Sequence, residues 1–237
     1  GLARERGGEP VTAPAMVPAI TFDEFWNWSA AAEMLPEILT AFVKVTLLVT
    51  VVGTVIATIV GLLLAVLTQA TPRLVSGPVR WVMDVVRMTP LIVQLMFASF
   101  LVPVSWNLMW VGTVVIGLHY ATYMAESFIA GIASVDKGQW EASRALSLPQ
   151  GRTWRAVVLP QALRATLPSL GNWAISMFKD TPYLFAITVL EMVTVAQQAG
   201  DRTFRYNEAF TIAGLVFLVA SLVTAFAVRR LEKALVY

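Results

Sequence analysis

Stretches of apolar residues about as long as the ~20 residues a helix needs to cross hydrocarbon recur along this chain. Backbone groups inside a bilayer must be hydrogen-bonded within the protein, a condition that a helix meets by itself. Runs of this length therefore read as membrane-crossing helices, and the fold class as all-α. The first, residues 35–70, is too long for one perpendicular crossing. It predicts an interfacial lead-in at 25–37 followed by a tilted helix, in which Gly53 and Gly61 permit close helix contacts. The second, 79–102, contains Pro90, which removes a backbone hydrogen bond and kinks or breaks the helix. A short turn at 103–107 leads to the third, 108–134. After a polar insertion at 135–159, the fourth runs over 160–178, with Pro160 suited to its first turn. A mixed stretch, 179–207, holds an apolar segment at 183–195 that reads as a partial or re-entrant helix. The fifth, 209–228, is closed by Arg229 and Arg230. The expected organisation is a tail and interfacial segment at 1–34, then one transmembrane domain at 35–237 with about five crossings.

Composition narrows the chemistry. With 57% hydrophobic and 14% charged residues, the chain is not an ordinary soluble domain. A formal net charge of +2 gives no argument for nucleic acid. The absence of Cys excludes disulfides, thiolate catalysis and thiolate metal sites. With one His and no carboxylate cluster at ligand spacing, an intramembrane enzyme lacks its nucleophile, base or metal ligands. No catalytic residue, metal or cofactor is expected. The first residues, rich in Gly, Pro and charge, lack an apolar core of signal-peptide length and read as a tail.

Basic residues near span ends set orientation. With five crossings and the N-terminus outside, one side receives Arg73, Arg80, Lys137, Arg144, Arg152, Arg155, Arg164, Arg229, Arg230 and Lys233. The other receives mainly Arg4, Arg6, Arg202 and Arg205, interspersed with acidic residues. The expectation is N-terminus out and C-terminus in the cytoplasm, which places the polar insertion in the cytoplasm.

That insertion, at about 136–160, reads as a hairpin of two short helices. Asp136 is a candidate N-cap for a helix over 137–146; a turn through Leu148, Pro149, Gln150 and Gly151 leads to a second over 152–158. Trp154, Val157 and Val158 share a face of the second helix, flanked by Arg152 and Arg155. A surface helix anchored on the bilayer by Trp140 and Trp154 is the bland alternative.

The residues resemble something more specific. Gly138-Gln139-Trp140-Glu141-Ala142, Ala145-Leu146 and Leu159-Pro160-Gln161-Ala162-Leu163-Arg164 resemble the EAA motif of ABC-importer permeases. Arg87-Met88-Thr89-Pro90-Leu91-Ile92-Val93-Gln94-Leu95, Tyr123-Met124-Ala125-Glu126 with Gly131-Ile132, and Lys179-Asp180-Thr181 resemble further signatures of the polar amino acid (histidine/glutamine-type) branch. These four ordered matches run from Arg87 to Thr181. The resemblance implies a type I ABC importer permease fold in a bacterial cytoplasmic (inner) membrane. It also implies a cytoplasmic ABC ATPase dimer, a second permease (identical or related) and an external solute-binding protein as partners. The hairpin would be the coupling helix, with Glu141, Ala142, Leu146, Ser147, Leu148 and Arg152 meeting the ATPase: Glu141 near basic groups, Leu148 in an apolar socket. The chain has no G-x-x-x-x-G-K-[ST] phosphate loop, so ATP hydrolysis falls to that separate partner. Residues 204–208 and 229–232 look most similar to permeases for ectoine and hydroxyectoine. The sequence departs from the family in three places. Ser147 stands where the family has Gly, costing about 1 kcal/mol if that residue is left-handed. Ile129-Ala130 replaces Arg-Gly, and Pro182 replaces Ser.

Charges inside the apolar spans carry the remaining functional signal. Lys44, Asp84, Arg87, Glu126, Lys179, Asp180 and Glu191 would each cost about 2.5–3.5 kcal/mol facing lipid at a helix centre. They should face protein, water or one another. Asp84 and Arg87, three apart, can pair; Asp84 and Glu191 read as helix-locking ion pairs, and Lys44 as snorkelling. Arg87, Glu126 and Asp180 are the candidate lining of a path for a zwitterion, with Arg87 engaging a carboxylate and an acidic residue the cationic nitrogen. Trp173 or Tyr123 offers a face for a delocalised cation. His119 reads as a hydrogen-bonded core residue. Trp26, Trp28, Trp106 and Trp110 read as an interfacial belt. A passive channel or membrane scaffold remains the alternative, and it leaves the charged hairpin unexplained.

Overall fold

The computed structural model describes residues 25–235, so most of the expected N-terminal tail lies outside the described residues. The elements are α1 (Trp28–Ala70), α2 (Arg73–Met88), α3 (Leu91–Leu101), α4 (Leu108–Ala133), α5 (Lys137–Ala145), α6 (150–180), a 3-10 turn (Thr181–Ile187), α7 (Met192–Thr203) and α8 (Tyr206–Leu235). Among the described residues there is no strand. Helix α1, helix α4 and the Tyr206–Arg230 part of α8 are long and apolar enough to cross a membrane. Helices α2 and α3 together make a fourth candidate, bent by 105° at Thr89 and Pro90. The main part of α6, Leu159–Asp180, is long enough at 22 residues but too polar to qualify by composition alone.

The centre of the bundle is a contact between backbones. Val49, Gly53, Ala57, Gly61 and Ala65 recur every fourth position of α1 and are buried, giving a stripe of mainly small residues that lets α4 come close. A Cβ added at Gly61 would stand 2.9 Å from the Ala121 carbonyl oxygen, and one at Gly117 2.8 Å from Ile56 Cγ2. Sequence spacing predicted the close approach at Gly53 and Gly61, and both meet neighbours there. A second core joins the start of α1 (Ala31, Met34, Ile38) to α7 and α8 through Met192, Ala196, Ala209 and Ile212.

That second core takes in much of the expected interfacial lead-in. Residues 28–41 bury one face inside the bundle and continue into the rest of α1 without interruption. At 43 residues the helix is roughly 64 Å long at 1.5 Å per residue, about twice the hydrocarbon thickness. The adjustment is a π-helical turn at Phe42–Leu47. Its Thr46 is buried, and the hydroxyl accepts the Met192 N–H at 3.1 Å.

Other boundaries also shift. The second arm of the hairpin is not a separate helix: Gln150–Thr153, a π-helical turn at Trp154–Val158 and Leu159–Asp180 are continuous. The widened turn precedes Pro160, whose ring would otherwise crowd the carbonyl four residues back. Helix α8 runs past Arg230 to Leu235. The stretch at 183–195 is split where Thr188 turns left-handed, φ 62°. Glu191, expected in an ion pair, instead caps α7. Its fully buried carboxylate accepts the Val193 and Thr194 N–H groups at 2.9 and 2.6 Å. With Thr46 serving Met192 and the Glu191 carbonyl serving Val195, the free N–H groups of α7's first turn are all satisfied, as a buried helix start requires.

Gly61→Ala is expected to destabilise the protein by about 1–3 kcal/mol, the usual cost of overpacking, seen as a lower thermal midpoint in detergent. Gly77→Ala, where an added Cβ meets nothing within 4 Å, should leave the midpoint unchanged or slightly raised. Equal effects would remove the α1–α4 backbone contact as the determinant.

Candidate functional site

Three of the intramembrane charges, Asp84, Arg87 and Glu126, gather at one place. The last turns of α2, the C-terminal half of α4 and the middle of α6 line an open pocket of about 500 Å³ that includes Arg87, Tyr123, Glu126, Ser127, Ser169 and Trp173. On α4, Tyr123, Glu126 and Ser127 are spaced three and four apart, so one helical face presents all three. Arg87 reaches across from α2. Its guanidinium lies 3.0 Å from Glu126 and 2.5 Å from Asp84, the latter the pairing predicted by spacing. The Arg87 side chain is 21% exposed and that of Glu126 44%, so the carboxylate is the more accessible partner. One cation between two carboxylates leaves the cluster net acidic. It can offer a carboxylate to a ligand's positive group and, on rearrangement, a guanidinium to a negative one.

The aromatic wall is built from two helices. Tyr123 and Trp173 lie with ring centroids 4.9 Å apart, and Trp173 Nε1 donates to Ser127 Oγ at 2.9 Å, which fixes the indole against α4. Asp180, the third expected path residue, is not among the lining residues. It accepts the Tyr120 hydroxyl at 2.6 Å, and Tyr120 stands edge-on to Trp173. Asp180 thus holds the aromatic wall from behind. Ser127, Ser169 and Tyr120 were not singled out from sequence. Ser127 could have been, as the neighbour of Glu126 on the face that carries Tyr123; Ser169 belongs to another helix and leaves no such signal. Lys44 and Lys179 are exposed, and among the described residues neither forms a salt bridge. Among those residues there is also no cluster of His, Asp and Glu able to hold a metal ion.

The hairpin lies between the two helices that carry the pocket. Asp136 accepts the Gly138 N–H at 2.8 Å, capping α5 as its sequence predicted. Helix α5 ends with the Leu148 N–H on the Ser143 carbonyl (3.0 Å) and the Ser147 N–H on that of Arg144 (2.9 Å). This is the Schellman arrangement, whose residue after the cap is left-handed. That residue is Ser147, at φ 52°. Ser147 therefore adopts the backbone conformation that glycine favours, and the turn is formed at a local cost. Trp140 and Trp154 stand edge-to-face at 5.5 Å and pack on the main core, pinning the two arms together. Glu141, Ala142, Ser147 and Arg152 are exposed. Leu146 is 72% exposed while Leu148 is half-buried, so Leu146 is the more prominent apolar group at the tip.

Residues 57–237 match the family described as binding-protein-dependent transport system inner membrane component. The chain is 36% identical over 168 residues to a probable amino-acid ABC transporter permease of Sinorhizobium fredii, covering 70% of this chain and 73% of that one. It is 36% identical over 155 residues to the glutamine transport system permease protein GlnP of Escherichia coli, covering 63% and 71%. A crystal structure of an amino acid ABC transporter with histidines superposes with a TM-score of 0.80 at 26% identity, over 88% of this chain and 99% of that one.

Replacing Ser147 by Gly should relieve the left-handed backbone and stabilise the hairpin by about 1 kcal/mol. Hydrogen exchange at the amides of residues 143–148 reads this locally: protection should rise about fivefold. Unchanged exchange would mean the turn carries no strain.

Proposed function

The chain belongs to the family of binding-protein-dependent transport system inner membrane components, as a permease subunit of an amino acid ABC importer, and from that premise we propose that it passes a small zwitterion through the pocket between α2, α4 and α6. The observation that carries this reading is continuity. The second arm of the hairpin is continuous with the helix that holds Trp173, and the first arm follows the helix that holds Glu126 after a turn at 134–136. Helices α4 and α6 touch backbone to backbone at Gly131, where an added Cβ would meet the Ala162 carbonyl oxygen at 2.9 Å. A rigid-body displacement of the hairpin by a docked ATPase is thereby delivered to both walls of the pocket together. Glu141, Ala142, Leu146, Ser147, Leu148 and Arg152 form the docking face. The assembly contains a second permease, identical or related, two ATPase subunits and an external solute-binding protein.

Orientation follows the same logic. Arg73, Arg80, Lys137, Arg144, Arg152, Arg155, Arg164, Arg229 and Arg230 lie towards the hairpin end, while Lys179, Arg202 and Arg205 lie towards the other. This excess of basic residues supports a cytoplasmic hairpin and C-terminus with the N-terminus outside.

Within the amino acid class, the pocket suits a solute bearing one carboxylate and a delocalised cation, with ectoine or hydroxyectoine as the specific candidates. Arg87 takes the carboxylate, Glu126 the cation, and the rings of Tyr123 and Trp173 its face. Asp180 contributes indirectly, through Tyr120.

Proteoliposomes containing this chain, its ATPase and permease partners and the cognate binding protein test the proposal. Labelled ectoine uptake should require ATP, resist competition by arginine, glutamine and histidine, and be abolished by Glu141→Lys. Glu126→Gln should lower uptake tenfold or more, on the order of a lost charged hydrogen bond, while ATPase docking persists. Flux without ATP, or uptake indifferent to Glu141→Lys, would favour a passive channel. Competition by glutamine alone would reassign the solute.

A further inference from the structure

The corner between α2 and α3 is held by a side chain that replaces a missing backbone donor. In an unbroken helix the residue at position 90 would donate its N–H to the Val86 carbonyl, but Pro90 has none to give. Gln94, one turn into α3, fills the gap. Its Nε2 lies 2.7 Å from the Val86 carbonyl oxygen, 2.6 Å from Thr89 Oγ1 and 3.2 Å from the Thr89 carbonyl. Thr89 Oγ1 in turn donates to the carbonyls of Val85 and Val86 at 3.0 and 3.1 Å.

With its nitrogen facing three acceptors, the Gln94 amide has one orientation, and Oε1 points the other way. There His119 Nδ1 stands at 3.1 Å. An amide oxygen can only accept, so Nδ1 must carry the proton. His119 lies on α4 four residues before Tyr123 and seven before Glu126, on the same helical face. That face therefore grips the corner twice, through Glu126 to Arg87 before the break and through His119 to Gln94 after it.

We propose that Gln94 and His119 are positioning residues of the importer: the pair fixes the 105° corner and thereby holds Arg87 at Glu126. Neither residue touches the solute in this account, which rests on the reading of the α2–α4–α6 pocket as the solute path. The Val86 carbonyl belongs to the residue next to Arg87, so loosening Gln94 frees the last turn of α2 and the guanidinium it carries.

His119 is the chain's single histidine, so the full chain labelled with ¹⁵N-histidine and reconstituted in lipid gives one imidazole spectrum. At neutral pH it should show the Nδ1–H tautomer, and Gln94→Leu should shift it towards Nε2–H. An Nε2–H tautomer in the unmodified protein, or a spectrum indifferent to Gln94→Leu, would overturn the clamp. In the reconstituted importer, Gln94→Leu and His119→Leu should each lower maximal ATP-coupled uptake about tenfold. The half-saturating concentration of loaded binding protein should stay unchanged, and His119→Gln, which keeps a donor, should recover most of the rate. Equal losses in His119→Gln and His119→Leu would overturn the positioning role. The histidine spectrum reports the clamp alone. Wild-type uptake by Glu126→Gln alongside the expected spectrum would therefore reject the pathway reading, and the positioning role with it, while leaving the bond.

Discussion

Each backbone donor and acceptor in a bilayer must find its partner inside the protein, and three departures from a straight helix in this structure are local answers to that demand. Where Pro90 removes a donor, the Gln94 amide supplies one to Val86. Where α7 begins inside the bundle, Glu191 and Thr46 take its leading N–H groups. Ahead of Pro160 the helix widens into a π-helical turn without breaking. Breaks and bends elsewhere would expose unpaired carbonyls at several kcal/mol each, so these few side chains decide where the chain can turn.

The same economy governs charge. Arg87 is tolerated in an apolar span because Asp84 and Glu126 both reach it, and Arg87 and Glu126 line a pocket. A site that keeps one guanidinium between two carboxylates is held together without a ligand yet has an accessible carboxylate to exchange. Helices α4 and α6 then both wall the pocket and carry the hairpin. The edge-to-face pair Trp140 and Trp154 and the backbone contact at Gly131 tie the hairpin arms and the two helices together, as the proposed coupling to a partner in water would require.

Much of this was legible in the residues. The all-helical class, the Leu108–Ala133 span, the Asp136 cap, the pairing of Asp84 with Arg87 and the close approach at Gly53 and Gly61 each rest on spacing within one segment, where helical geometry relates sequence directly to space. The resemblance to amino acid importers likewise rests on contiguous motifs, and the comparisons agree with it at the level of the family.

What escaped the sequence depends on contacts between segments. Glu191 as a cap needed to know where α7 starts, and that start is set by Thr46, 146 residues away. Asp180 stands behind the pocket wall because Tyr120 of α4 claims its carboxylate. Residues 28–41 joined the bundle because α7 and α8 bury one face of them, a choice invisible in their own periodicity. The sequence by itself determined that this chain is a bundle of membrane helices with a charged hairpin, since hydropathy and helical spacing are local quantities. Only the tertiary structure decided which charges meet, because a side chain inside a membrane is assigned its partner by the helix packed against it.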